Sequence, residues 1–422
     1  MPMNVHDASR STAAWSRKSA WQSVTATVGL AVAAASVAAA NPALAQEVLK
    51  PVDKSVLKPT FLIAPPGSQA KAHSLAKFNS LSGPGTTIPY WSTVVTSPLD
   101  HQSYNVSMVG GSPFAPHPGN TNLTYVPIVV KIHIRGFTFD PTKPANCDAA
   151  TPQRRFFNSP LFRPQGFMSN GVDVTASVPG GTQLTSAFQR ANFWGAVQGS
   201  AYNVTLVPSR LTPIIVDYVA NPANTVFGIK PCGPNVLPLG TMDINEYDAL
   251  VQNLAAQYAT PNQIPVVLSY NVVETEGGGC CIIGYHNAVP VPGGAQVYAV
   301  GTYVDPNIFS GGIADIYPWS HELAEMFDDP FVQSIAGVPG DFNNDLTPPW
   351  GHTGQVSGCQ NNLEVGDPLT GVVTASVVGD GGFTYHYQDE TFLNWFYRTP
   401  STATGGKGSF LGTFPGGGQG VC

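Results

Sequence analysis

One short segment, Ser320-His321-Glu322-Leu323-Ala324-Glu325, has the residue types and spacing to hold a metal ion and use it. Residues four apart on a helix share a face, so His321 and Glu325 reach one cation while Glu322, beside them, is placed to act as general base toward a water. This is the His-Glu-x-x-His helix of metallopeptidases with its second histidine replaced by glutamate. Zinc accepts carboxylate oxygen, so the exchange is chemically admissible, although manganese or calcium also takes carboxylates readily. A third ligand must come from elsewhere in the chain. Glu364 is favoured, an isolated acid in Leu363-Glu364-Val365-Gly366-Asp367-Pro368. Asp367 is the alternative, or it caps a turn ahead of Pro368. His286, in Gly284-Tyr285-His286, either ligates or steadies an oxyanion. The competing reading keeps the same groups and removes the catalysis: a structural cation or hydrogen-bond site.

Other chemistries fit less well. Asp341, Asn343 and Asp345 have the alternating oxygen spacing of a calcium loop, but Leu346 stands where glycine belongs and His352 where the bidentate acid belongs. There is no Gly-x-Ser-x-Gly elbow for serine catalysis, and Gly277-Gly278-Gly279 leads into cysteines rather than into a phosphate-binding helix. Asp328 and Asp329 close the His321 helix at its C-terminal end, where the dipole disfavours acids, which points to hydrogen bonding or a cation.

These residues need elements to position them. The spacing predicts a helix over 315–328, capped by Asp315, tolerating Pro318 in its first turn and stopped by Pro330. Tyr125 to Phe139 alternates, with Val126, Ile128, Val130, Ile132 and Ile134 on one face and Val129, Lys131, His133 and Arg135 on the other, and reads as one strand. Further strands are expected over 203–208, 211–219, 264–273 and 296–304, with helices over 185–197 and after the cap Asp243. Helices interleaved with strands indicate an α+β or α/β fold: a mixed sheet with packed helices, loop-rich and disulfide-bonded.

The chain of 422 residues begins with Arg10, Arg17 and Lys18, an Ala-rich apolar run over 24–40, and Asn41-Pro42-Ala43-Leu44-Ala45. That order is a secretory signal cut after Ala45, and it places the protein outside the cell or in the periplasm. No later segment is long and apolar enough for a membrane helix. Residues 46–118, rich in Pro, Ser and Gly, read as an extended arm or linker in which no chemistry is expected, and 119–422 as the globular hydrolase domain. A net charge of −7 with no basic stripe excludes a nucleic-acid partner. Six cysteines, Cys147, Cys232, Cys280, Cys281, Cys359 and Cys422, suit disulfides in an oxidising compartment. A bond from Cys359 to Cys280 or Cys281 would tie the His286 loop near Glu364.

The segments Ala187 to Trp194, Gly284-Tyr285-His286, Ser320 to Glu325 with Asp328-Asp329-Pro330, and Glu364-Val365-Gly366-Asp367 resemble a loosely characterised family of secreted bacterial and fungal proteins. More distantly, the layout is similar to plant phosphate-induced, exordium-type cell-wall proteins. The resemblance spans roughly residues 120 to 400 and implies a shared site without naming a reaction. In that family a cysteine follows Glu-x-Gly-Asp, whereas here Pro368 follows and Cys359 lies upstream. The helix is also similar to that of zincin metallopeptidases, in which an edge strand holds the substrate backbone, a role that falls by analogy to the strand over 296–304. The expectation is therefore a secreted zinc hydrolase acting on a peptide or cell-envelope substrate, with His321, Glu325 and Glu364 as ligands and Glu322 and His286 in catalysis.

Overall fold

The alternation around Ile128 builds the middle of the molecule. In the computed structural model, described here for residues 48–62, 87–96, 101, 103–291, 294–332, 363–372 and 374–416, the elements run as follows. Strand β1 (Thr60–Leu62) and the hairpin β2 (Tyr90–Thr96) and β3 (Ser103–Val109) precede the long β4 (Asn120–Ile134) and β5 (Phe137–Phe139). Helix α1 (Pro152–Phe157), the small hairpin β6 (Met168–Ser169) and β7 (Val172–Asp173), and helices α2 (Leu184–Asn192) and α3 (Trp194–Val197) follow. Next come β8 (Asn203–Pro208), β9 (Ile214–Val219), β10 (Thr225–Ile229), β11 (Leu237–Asp243), α4 (Ile244–Tyr258), β12 (Gln263–Tyr270), β13 (Val272–Glu276), β14 (Gly279–Val291) and β15 (Gly294–Tyr303). Helix α5 (Tyr317–Asp328), the hairpin β16 (Thr374–Val378) and β17 (Thr384–Gln388), and α6 (Leu393–Tyr397) complete the order.

One mixed sheet runs β10-β11-β13-β14-β15-β12-β4-β5, with β1 on β14 and both β8 and β9 on β4. Because successive side chains of a strand point to opposite faces, Val126, Ile128, Val130, Ile132 and Ile134 of β4 join the core beneath α4. Leu123, Tyr125 and Val129 turn to the other face, where α5 contributes Trp319, Leu323 and Phe327. The mixed α and β content expected from the sequence is present. Among the described residues no helix is long and apolar enough to cross a membrane.

Local chemistry explains where the elements end. Asp243 caps α4 as its position suggests, its carboxylate accepting from the amides of Asn245 and Glu246. The run over 125–139 is two strands rather than one. Arg135 and Gly136 both take positive φ (50° and 84°), and two such residues make a tight hairpin turn between β4 and β5. Asn271, at φ 49°, likewise divides the run over 264–273, and its side chain holds Asp305 from both ends. The helix over 185–197 breaks at Phe193 into α2 and α3. Asp315 is not the cap of α5. Its carboxylate serves His386 through both the backbone amide (2.8 Å) and Nδ1 (2.6 Å), and Ile316 occupies the cap position with no side-chain bond.

Within the stretch read as an arm, β1 joins the main sheet parallel to β14, Thr60 opposite Ile282 and Leu62 opposite Tyr285, and β2 and β3 pair with each other. Cys147 and Cys232 form a disulfide, with Cα atoms 5.7 Å apart. Cys280 and Cys281 bond to each other rather than to a distant partner. The signal segment 1–45, the calcium-like Asp341, Asn343, Asp345 and His352, and Cys359 and Cys422 lie outside the described residues.

Candidate metal centre

Helix α5 carries a histidine and two glutamates, yet all twelve of its residues are buried. It packs on β14, β15 and β17 and touches α2 and β3. Such depth needs a sheet surface without side chains in the way, and two glycines supply it. Gly284 and Gly301 face each other across β14 and β15. A Cβ on Gly301 would lie 2.9 Å from the Trp319 ring, and one on Gly284 would lie 2.7 Å from Cγ of Glu322. The helix therefore rests on bare backbone, and His286, two residues beyond Gly284 and on the same strand face, comes up beside Glu322.

The segment over 363–367 closes on α5 from another side. Oε1 of Glu325 accepts from the amides of Gly366 (3.0 Å) and Asp367 (3.1 Å). Gly366 is required there, since a Cβ would meet Nδ1 of His321 at 2.5 Å and Oε2 of Glu390 at 2.8 Å. Phe61 of β1 stacks flat on the His321 ring, centroids 3.4 Å apart and planes 8° from parallel. The stretch in which no chemistry was expected thus covers the His321 ring.

Each histidine is fixed in one tautomer. The side-chain amide of Gln388 donates to the carbonyl of Gly366, which turns its Oε1 toward Nδ1 of His321 at 3.1 Å. Nδ1 therefore carries the proton and Nε2 presents a lone pair. Nε2 of His286 lies 3.2 Å from the carbonyl oxygen of Asp329, which can only accept, so the bare nitrogen is Nδ1. Metal-binding histidines are oriented in this way, the outer nitrogen donating and the inner one free. The inner nitrogens face acids. Nε2 of His321 is 2.9 Å from Oε2 of Glu325 and 3.6 Å from Oδ1 of Asp367, and Nδ1 of His286 is 3.2 Å from Oε2 of Glu322 and 3.9 Å from Oε2 of Glu325. Nε2 of His321 nevertheless makes no hydrogen bond, and neither does Oε1 of Glu322 or of Glu364. Lone pairs converging at these distances repel unless a proton or a cation lies between them.

The electrostatics agree. Burial holds His286 down to about 3 and His321 down to about 4, so both rings are neutral at ordinary pH. Burial, and then the charge of neighbouring acids, pushes Glu322, Glu325 and Glu364 well above the usual carboxylate range. Glu390, also fully buried, shifts the same way for the same reasons, and both its oxygens lack hydrogen bonds. Among the described residues no lysine or arginine forms an ion pair with Glu322, Glu325, Glu364 or Glu390. A cation is the remaining means of ionising such acids without a large desolvation penalty.

Two sets of donors are close enough to hold an ion. His321, Glu325 and Asp367 form one, and His286, Glu325 and Glu364 the other, each with ligand atoms within 4.8 Å of one another. The fold thus assembles all five residues singled out in the sequence. Glu364, favoured as third ligand beside His321, instead sits with His286, and Asp367 takes the place beside His321. Gln388, Glu390 and Phe61 escaped sequence reasoning. Only Asp389-Glu390, acids in a weakly charged stretch, offered any signal. The expected substrate-holding strand is corrected as well: β15 is paired on one edge with β12 and on the other with β14, so it has no free edge for a peptide.

No protein-family model, curated protein or solved structure matches this chain.

Proposed function

We propose that this chain is a secreted, metal-dependent hydrolase, with zinc as the metal and a peptide or cell-envelope polymer as substrate. The observation that carries the reading is the pair of fixed histidine tautomers, each presenting a bare nitrogen to buried carboxylates. Imidazole with carboxylate is a donor set that zinc takes readily. When bound, zinc would polarise a water and the carbonyl under attack. His321, Glu325 and Asp367 hold the metal, with His286 and Glu364 beside them. Glu322, whose Oε2 lies 3.2 Å from Nδ1 of His286, would accept the proton at its carboxylate once a bound cation holds it ionised. The Cys147–Cys232 disulfide accords with an oxidising compartment.

A second reading is favoured by one observation: His286, His321, Glu322, Glu325 and Glu364 are at most 1% exposed. A cage closed to water is typical of a structural ion. Elemental mass spectrometry of the purified chain together with Glu322→Gln separates the two. Bound zinc retained in Glu322→Gln, with hydrolysis of a peptide library lost, supports the hydrolase. Zinc retained with no hydrolysis in either protein supports the structural ion, and a metal-free chain whose melting temperature ignores added zinc defeats both.

A further inference from the structure

We infer that the centre holds two divalent cations rather than one, with Glu325 as the bridge. The inference rests on the reading that this cluster binds metal, and goes beyond it in number and arrangement. The two histidines belong to different donor sets that have only Glu325 in common. Around a single tetrahedral ion with bonds of about 2.1 Å, every pair of donors is about 3.4 Å apart. Within the first set that spacing holds, since Nε2 of His321 lies 2.9 Å from Oε2 of Glu325 and 3.6 Å from Oδ1 of Asp367. The second set, which His321 and Asp367 do not join, has Nδ1 of His286 at 3.9 Å from the same Oε2.

The bridging atom is determined by the backbone. Oε1 of Glu325 is occupied by the amides of Gly366 and Asp367, so Oε2 is the oxygen both ions would share. A single-oxygen bridge matches the separation of about 3.5–4 Å common to paired metal sites. Charge points the same way. Glu322, Glu325, Glu364, Asp367 and Glu390 are buried together. One divalent ion would leave most of their ionised charge in a dry interior, whereas two nearly neutralise it. Oε1 of Glu364, a member of the second set, makes no hydrogen bond within the protein.

The test loads the purified, metal-stripped chain with zinc or with manganese and counts ions per chain by native mass spectrometry. Wild type should bind two, and manganese-loaded protein should show the exchange-coupled electron paramagnetic resonance of a bridged pair. His286→Gln and Asp367→Asn should each bind one and give the six-line spectrum of an isolated ion. A wild-type chain that saturates at one manganese with an isolated six-line signal overturns the pair while leaving metal binding intact. Two ions without coupling also overturn it, because the second would lie elsewhere. No bound ion overturns this inference and the metal reading together. The wild-type measurements stand even if either variant fails to fold.

Discussion

Gln388→Ala is the sharpest probe of the tautomer argument. The substitution removes the acceptor for Nδ1–H of His321 and the donor to the Gly366 carbonyl, and leaves every proposed ligand in place. Without the acceptor the ring is free to rotate or to place its proton on Nε2, the atom that faces Glu325 and Asp367. Loss of such an outer partner lowers metal affinity by about 10–100-fold, or about 1.4–2.7 kcal/mol. Two buried polar groups also lose their partners, at about 1–3 kcal/mol each, so the metal-free protein should melt at a lower temperature. Competition against a chromophoric zinc chelator measures the affinity, and calorimetry the stability. Tyr270→Phe serves as control: it removes a buried hydroxyl bound to Asp305 at 2.7 Å, away from the centre, and should lower stability without weakening zinc. If Gln388→Ala binds zinc as tightly as wild type despite its lower melting temperature, Gln388 does not set the ligating nitrogen and the reasoning fails.

Gly284→Ala should reduce metal affinity and destabilise the fold by about 1–3 kcal/mol, because its methyl group would stand 2.7 Å from Cγ and 2.8 Å from Oε1 of Glu322; a crystal structure with α5 unmoved and affinity intact would contradict this. Metal binding at neutral pH should release protons from the raised carboxylates, whereas the neutral histidines release none; titration calorimetry in buffers of different ionisation heat reads the number, and zero would be the adverse result. The metal-free chain should lose stability between pH 6.5 and 8. In that window Asp328, raised to about 8 by burial and then by Asp329, keeps its proton in the fold, whereas in the unfolded chain it has already lost it near 3.8. The histidines act oppositely, favouring the fold as pH rises from about 4 to 6.5, and drop out above that range. A metal-free melting temperature that climbs from pH 6.5 to 8 would refute the assignment.

What the sequence reveals of this centre is what lies close together in the chain. His321, Glu322 and Glu325 are legible because helical periodicity alone brings them to one face, and the alternation of β4 and the Asp243 cap are legible for the same local reason. The partners are not, because pairing across the sheet decides them. Whether Asp367 or Glu364 stands beside His321 depends on the amides that grip Glu325, and the role of Gln388 depends on β17 lying along α5. Gly284 and Gly301 look like any strand glycines until their register sets them opposite each other. Residues at positive φ, Arg135 with Gly136 and Asn271 by itself, ended strands whose hydrophobic pattern ran straight through them.

Phe61, on a strand made early, has a consequence for the order of assembly. As synthesis proceeds, β1 emerges long before its neighbour β14, some two hundred residues downstream, and the ring that Phe61 covers comes later still. Strand β4 waits in the same way for β8, β9 and β12. A topology so dominated by distant contacts folds slowly, because loop closure comes before any of the gain from contact. The chain must therefore spend a period with its acidic cluster open to water, and that interval is when a cation most easily enters a place that the finished fold seals.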